Sequence, residues 1–144
     1  MILSGSDVAV SEDGEGVPVD FLAPGAKILS PLSARMEKIK HIECMVVGFH
    51  KDINPLKMPI LIKSGNLSKN CPSSDLYVSP EQLVTYPLRL ARSKRIVLEE
   101  GPALHIGTPV HPSDWKGGAE IKYFKLLMEH PCLIEVNGTI VMSY

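Results

Sequence analysis

The chain has 144 residues, of which 44% are hydrophobic and 22% are charged, and its net charge is −1. This length fits one domain, residues 1–144, that can bury a core. The balanced charge predicts no nucleic-acid partner and no anionic membrane partner. Because the chain lacks an apolar run of about 18 residues and its first residues do not resemble a signal peptide, we expect a cytoplasmic protein.

Eleven glycines and twelve prolines divide the chain into short segments, few of which could hold a three-turn helix. Between these breaks, β-type patterns predict short strands. In chain order, they occupy residues 7–10, 39–48, 59–63, 95–98 and 133–136. Asn137 and Gly138 separate the last of these from residues 139–141 and predict a tight hairpin turn. We therefore predict an all-β domain of many short strands and hairpins, with little helix.

Two segments have weaker helical patterns. Residues 79–82, Ser-Pro-Glu-Gln, offer an N-cap followed by proline and predict one short turn. Residues 32–40 are the second helical candidate. Residues 107–118, which contain the lone Trp115, are predicted to form a surface loop. The basic cluster of Arg89, Arg92, Lys94 and Arg95 is predicted to lie on a solvated strand face or turn.

The cysteines and histidines predict no metal and no cofactor. The chain has an odd number of cysteines, Cys44, Cys71 and Cys132, and none of them forms a C-x-x-C pair. This argues against a disulfide framework and against a zinc site. We expect Cys44 and Cys132 to be small buried hydrophobic residues. His105 and His111, with Asp114 nearby, match no standard metal-site spacing.

Three blocks in order resemble the Hint (hedgehog/intein) family of self-processing domains, in particular a bacterial branch. Residues 1–8 and 17–29 resemble the family's opening strands and turns, although Ala26 replaces an aspartate. Residues 59–67 and 75–82 resemble its Ser-Pro-x-His block, and residues 123–130 and 134–138 resemble its C-terminal strand pair. The segment from Val84 to Gly118 matches poorly. The resemblance implies a Hint-like fold.

The resemblance also implies a reaction for which this chain lacks the chemical groups. Family members attack the carbonyl before their first residue with a cysteine or serine, and the block histidine protonates the departing nitrogen. Here Met1 stands at the nucleophile position, Gln82 replaces the histidine, and the chain ends without the intein-type His-Asn pair. A thioether cannot form the acyl intermediate, and a carboxamide cannot shuttle a proton. If Met1 is the initiator, there is no upstream peptide to cleave.

We therefore predict a degenerate Hint domain that serves as a binding or structural module, with an unknown protein partner possible. His130 matches a histidine in the family's last block and completes the site positions Met1, Gln82 and His130. One alternative is a hydrolase acting in trans through Ser4, Ser6 or Cys71 with His130. Another is ligand binding by an all-β pocket lined by Trp115 and Tyr123. Asp75 is expected to cap or orient the turn at Ser79.

Overall fold

The computed structural model describes residues 1–144 except 12, 14, 32 and 90–95. Among the described residues it has thirteen strands, and its helical segments are single 3₁₀ turns of three residues. The strands are β1 (Ile2–Leu3), β2 (Asp7–Ala9), β3 (Gly16–Pro18), β4 (Lys27–Ser30), β5 (Arg35–Gly48), β6 (Ile60–Ile62), β7 (Leu76–Val78), β8 (Leu83–Arg89), β9 (Ile96–Pro102), β10 (Thr108–Pro109), β11 (Glu120–Met128), β12 (Leu133–Val136) and β13 (Thr139–Met142). The all-β prediction is confirmed.

The strands form two antiparallel sheets. One has the order β10-β6-β7-β1-β11-β5-β4, and the other has the order β3-β2-β12-β13-β8-β9. A first hydrophobic cluster includes Ile2, Ile62 and Val78 from the seven-stranded sheet and Val84 and Val141 from the six-stranded sheet. The core therefore joins the inner faces of both sheets.

The opposite face of the seven-stranded sheet is covered by a second hydrophobic cluster, which includes Leu3, Phe49, Met58 and Tyr123. Strand residues alternate between the two faces, so Ile2 belongs to the first cluster and Leu3 to the second. Tyr123 is fully buried, and its hydroxyl donates to the Lys57 carbonyl at 2.7 Å. Both sides of β1 are thus packed.

The predicted hairpin at Asn137 and Gly138 is confirmed. The two residues have φ values of 49° and 75°, as a two-residue turn between right-twisted strands requires, and they join β12 to β13. A Cβ atom on Gly138 would lie 2.8 Å from Ser73 Oγ. Glycine is therefore required here both by the backbone and by the neighbouring loop.

The predicted helix over residues 32–40 is wrong where the structure describes it. Residues 35–40 belong to the long strand β5, which pairs with β4 at its start and with β11 further on. Ile39 is fully buried between charged, exposed neighbours, so the segment gains more from strand pairing and one-sided burial than from an isolated helix. Leu32 lies outside the described residues.

Other expectations need smaller corrections. The short turn predicted at residues 79–82 is confirmed as a β-turn, with Gln82 N donating to Ser79 O at 3.1 Å, but it is not helical. The expected loop at 107–118 contains the edge strand β10, which pairs with β6. Cys44 is exposed on β5, contrary to expectation, whereas Cys132 is partly buried against the core.

The basic cluster of Arg89, Arg92, Lys94 and Arg95 cannot be compared with its prediction. Residues 92, 94 and 95 lie outside the described residues, and of Arg89 only the backbone, within β8, is described. None of the helices in the described part of the chain is long and apolar enough to cross a membrane.

Candidate functional site

The candidate site lies where the first strand, the β7–β8 turn and the C-terminal residues meet. Ile2 in β1 pairs with Val78 in β7, and Ser79 N extends the pairing by donating to Met1 O at 2.9 Å. Gln82 directly precedes β8, which pairs with β13. The two sheets therefore bring residues from both ends of the described chain to one point.

The Met1 amino group is surrounded by three oxygen atoms. Its nitrogen lies 2.7 Å from Ser79 Oγ, 2.8 Å from Gln82 Oε1 and 3.0 Å from Tyr144 Oη. Glu81 Oε1 is farther away, at 4.0 Å, and accepts a hydrogen bond from Ser79 Oγ at 2.7 Å. Met1 and Gln82, both proposed from the resemblance, are thus in direct contact.

Burial controls the charge of this amino group. Desolvation lowers the pKa of the Met1 amine from 8.0 to about 5. The Glu81 carboxylate raises this pKa and the Lys125 ammonium lowers it, but desolvation is the larger effect. The Lys125 ammonium also lies 4.5 Å from the ring centroid of Tyr144, and burial raises the pKa of the Tyr144 phenol. A free amine at this position is therefore mostly neutral at pH 7.

Gln82 is buried, with 2% of its surface exposed, and both ends of its carboxamide are engaged. Its oxygen accepts from Met1, while Nε2 donates to Met142 O at 2.8 Å and to Leu83 O at 3.1 Å. The side chain therefore links β1, the start of β8 and the end of β13. Neither amide hydrogen is left for a reacting group.

The Met1 side chain also has a packing role. It is partly buried against the second hydrophobic cluster, together with Tyr77 and Trp115. A thioether suits this position because methionine is flexible and polarisable and fills irregular apolar space. The side chain at the position to which the resemblance assigns a nucleophile is here part of an apolar packing contact.

His130 lies apart from this hydrogen-bond network. It is exposed in the turn after β11 and makes no side-chain hydrogen bond to another described residue. Ile2 pairs with Phe124 of β11, which places Met1 near Lys125. Met128, at the end of the strand, lies three residues beyond Lys125, which is roughly 10 Å along the strand. His130 follows Met128. The structure brings Met1 and Gln82 together and leaves His130 outside their network.

The hydroxyls and the thiol proposed for a hydrolase have other partners or are buried. Ser4 Oγ donates to Asp20, Ser6 is buried, and Cys71 Sγ lies 3.7 Å from Thr139 Oγ1. None of the three hydrogen-bonds His130 within the described residues. Asp75 Oδ1 accepts from Ser64 N at 2.9 Å, so Asp75 orients the neighbouring loop and does not cap the turn at Ser79.

The predicted ligand-binding residues occupy different environments. Trp115 lines an open cleft, whereas Tyr123 is fully buried in the second cluster. His105 and His111 are both exposed. Within the described ranges, no three His, Cys, Asp or Glu side chains are placed to hold a metal ion.

Tyr144 and Ser79 are site residues that sequence reasoning missed. From the sequence, the Ser79 hydroxyl is expected to satisfy a turn or cap, and Tyr144 counts only as part of an ending without a His-Asn pair. No local pattern identifies the Tyr144 hydroxyl, because its contact with Met1 spans 143 positions. For Ser79, its place in the Ser-Pro block was a usable signal.

The fold and this arrangement define an all-β domain in which the β7–β8 turn and the C-terminal strand surround the first residue. The family model for the Hint domain matches residues 3–144. The chain therefore belongs to the Hint domain family, as its resemblance predicted. A comparison with curated proteins finds no match at a significant level.

Proposed function

We propose that this Hint domain does not process itself and serves as a binding or structural module. The observation that carries the proposal is the double use of Gln82, whose oxygen accepts from Met1 while its nitrogen donates to Met142 O and Leu83 O. In the family reaction, the group at this position protonates the departing nitrogen. Here the same position links three segments of backbone.

The chemistry of the two substituted positions supports this proposal. Cleavage requires a nucleophilic atom to form a bond to the upstream carbonyl carbon while the carbon–nitrogen bond breaks and the nitrogen gains a proton. The Met1 thioether cannot give a neutral acyl intermediate, and the Gln82 carboxamide has no proton to give at neutral pH. Loss of general acid catalysis alone typically costs ~10²–10⁴-fold in rate.

The test is a fusion that places a reporter domain directly before Met1. We expect the fusion to remain one species by intact mass, with or without added thiol. The matched control is the Met1→Cys, Gln82→His double variant, which restores both chemical groups, and we expect thiol-dependent release of the reporter only there. Cleavage of the unmodified fusion would overturn the proposal.

If the unmodified fusion did cleave, one further variant would identify the nucleophile. Ser79 Oγ lies 2.7 Å from the Met1 nitrogen and hydrogen-bonds the Glu81 carboxylate. It is therefore the hydroxyl placed to attack a carbonyl attached to that nitrogen. If Ser79→Ala then abolished cleavage, the reaction would be assigned to the Ser79 hydroxyl, activated by Glu81.

A further inference from the structure

A cleft lies on the seven-stranded sheet, on the face that carries the second hydrophobic cluster. Leu61 in β6 pairs with Tyr77 in β7 and with Thr108 in β10, so these three residues share one face. Their neighbours Ile60 and Ile62 point into the first cluster. The floor of the cleft is therefore a continuous cross-strand row that the rest of the described chain does not fully cover.

Trp115 forms an aromatic wall of this cleft. Its ring packs edge-on against Tyr77 at 5.4 Å and against Phe49 at 5.7 Å, measured between ring centroids. A Cβ atom on Gly117 would lie 2.6 Å from the indole ring, so only glycine permits this approach. The indole is thus held on two sides, as a preorganised binding surface requires.

The indole N–H of Trp115 lacks a hydrogen-bond acceptor. Nε1 is buried, and none of the described residues accepts from it. Such a donor without a partner lowers the stability of the fold. Because Nε1 is buried, a ligand in the open cleft contacts the apolar surface of the indole ring and not its N–H.

The volume and charge of the cleft define the kind of ligand. The open cleft has a volume of about 570 Å³, within the range of small-molecule sites. Its apolar lining includes Leu61, Tyr77 and Trp115, and its charged residues are Lys63, Lys116 and Asp114. Two lysines against one aspartate give a net positive rim, and no ion pair with either lysine is found in the part of the chain that the structure describes.

We propose that this cleft, which we call the Trp115 cleft, binds a small organic carboxylate with an aromatic body. The aromatic body packs on Leu61 and Tyr77 against the Trp115 wall. The carboxylate pairs with Lys63 and Lys116, which line the same cleft. This binding function goes beyond the proposed loss of self-processing and uses neither Gln82 nor the Met1 amine.

The test is a titration of the ¹⁵N-labelled chain with 1-naphthylacetate, followed by two-dimensional ¹H–¹⁵N spectra. Because the chain has one tryptophan, its indole N–H gives a single side-chain signal that reports directly on Trp115. We expect this signal to move with a Kd of roughly 1 mM, typical of a ligand of this size. The neutral analogue 1-naphthylacetamide should bind about tenfold more weakly, since it lacks the charge.

A charge-removal variant tests the two lysines. The Lys63→Gln, Lys116→Gln double variant should lose about tenfold in affinity for 1-naphthylacetate. The control, Lys27→Gln with Lys69→Gln, removes two exposed lysines outside the cleft and should bind as the parent does. An unmoved indole signal, equal binding of acid and amide, or equal losses in the two double variants would each overturn the proposal.

Discussion

Replacing Gln82 by leucine should destabilise the fold more than any exposed amide substitution. Leucine has a similar volume but no polar atoms, so Met142 O and Leu83 O lose the Nε2 donor and the Met1 amine loses one acceptor. A buried polar group left without its partner costs about 1–3 kcal/mol. Because the Met1 nitrogen keeps Ser79 and Tyr144 as partners, we expect a total loss of about 3 kcal/mol.

Urea unfolding measures this loss directly. With a slope of about 2 kcal/mol/M, a loss of about 3 kcal/mol lowers the midpoint by about 1.5 M. The control is Asn66→Leu, which replaces an exposed carboxamide whose side chain forms no hydrogen bond with the described residues and should change stability by less than about 0.5 kcal/mol. A Gln82→Leu midpoint within error of the Asn66→Leu midpoint would refute the claim that Gln82 links the segments.

Three further predictions concern the same network and the terminal hairpin. Tyr144→Phe should lower the free energy of unfolding by about 1 kcal/mol, and its effect should not add fully to that of Gln82→Leu, because both residues contact the Met1 nitrogen. With a free Met1 amine, stability should rise between pH 5 and pH 8, because the unfolded amine (pKa near 8.0) binds a proton that the folded amine (pKa about 5) does not. Gly138→Ala should cost more stability than Gly65→Ala, because both positions have positive φ but only Gly138 has close neighbours.

Each of these predictions has its own control. Fully additive losses in the Gln82 and Tyr144 double variant would argue against a shared network. A tag before Met1 converts the amine to an amide and should remove its contribution to the pH dependence; an unchanged profile would assign that dependence to other groups. If Gly138→Ala and Gly65→Ala lowered the free energy of unfolding equally in urea, the close contact with Ser73 would not contribute to the cost of the substitution.

Local signals predicted much of the fold. Asn137 and Gly138 form the predicted turn because the φ values that a two-residue turn needs are an intrinsic preference of these residues. The helix predicted over residues 32–40 failed because residues 35–38 pair with β4 and Ile39 pairs with Met128 of β11, more than 80 positions away. Local propensity carries no information about such a partner.

The candidate site could be predicted only in part. The block resemblance identified Met1 and Gln82, which the structure brings into contact. It did not identify Tyr144, which is held near the site by backbone hydrogen bonds to Leu126 and Met128, distant in the sequence. It also did not predict that Gln82 donates to Met142 O, since this bond depends on the register between β8 and β13.

The central position of β1 has a consequence for folding kinetics. Ile2 precedes Phe124, which lies in one of its two neighbouring strands, by 122 positions. At about 5–20 residues per second, roughly 6–24 s pass on the ribosome before that partner exists. Closing the contact between Met1 and Tyr144, 143 positions apart, costs about 4 kcal/mol of chain entropy. The first strand must therefore remain unpaired on that side while most of the chain is made, and the final sheet forms late.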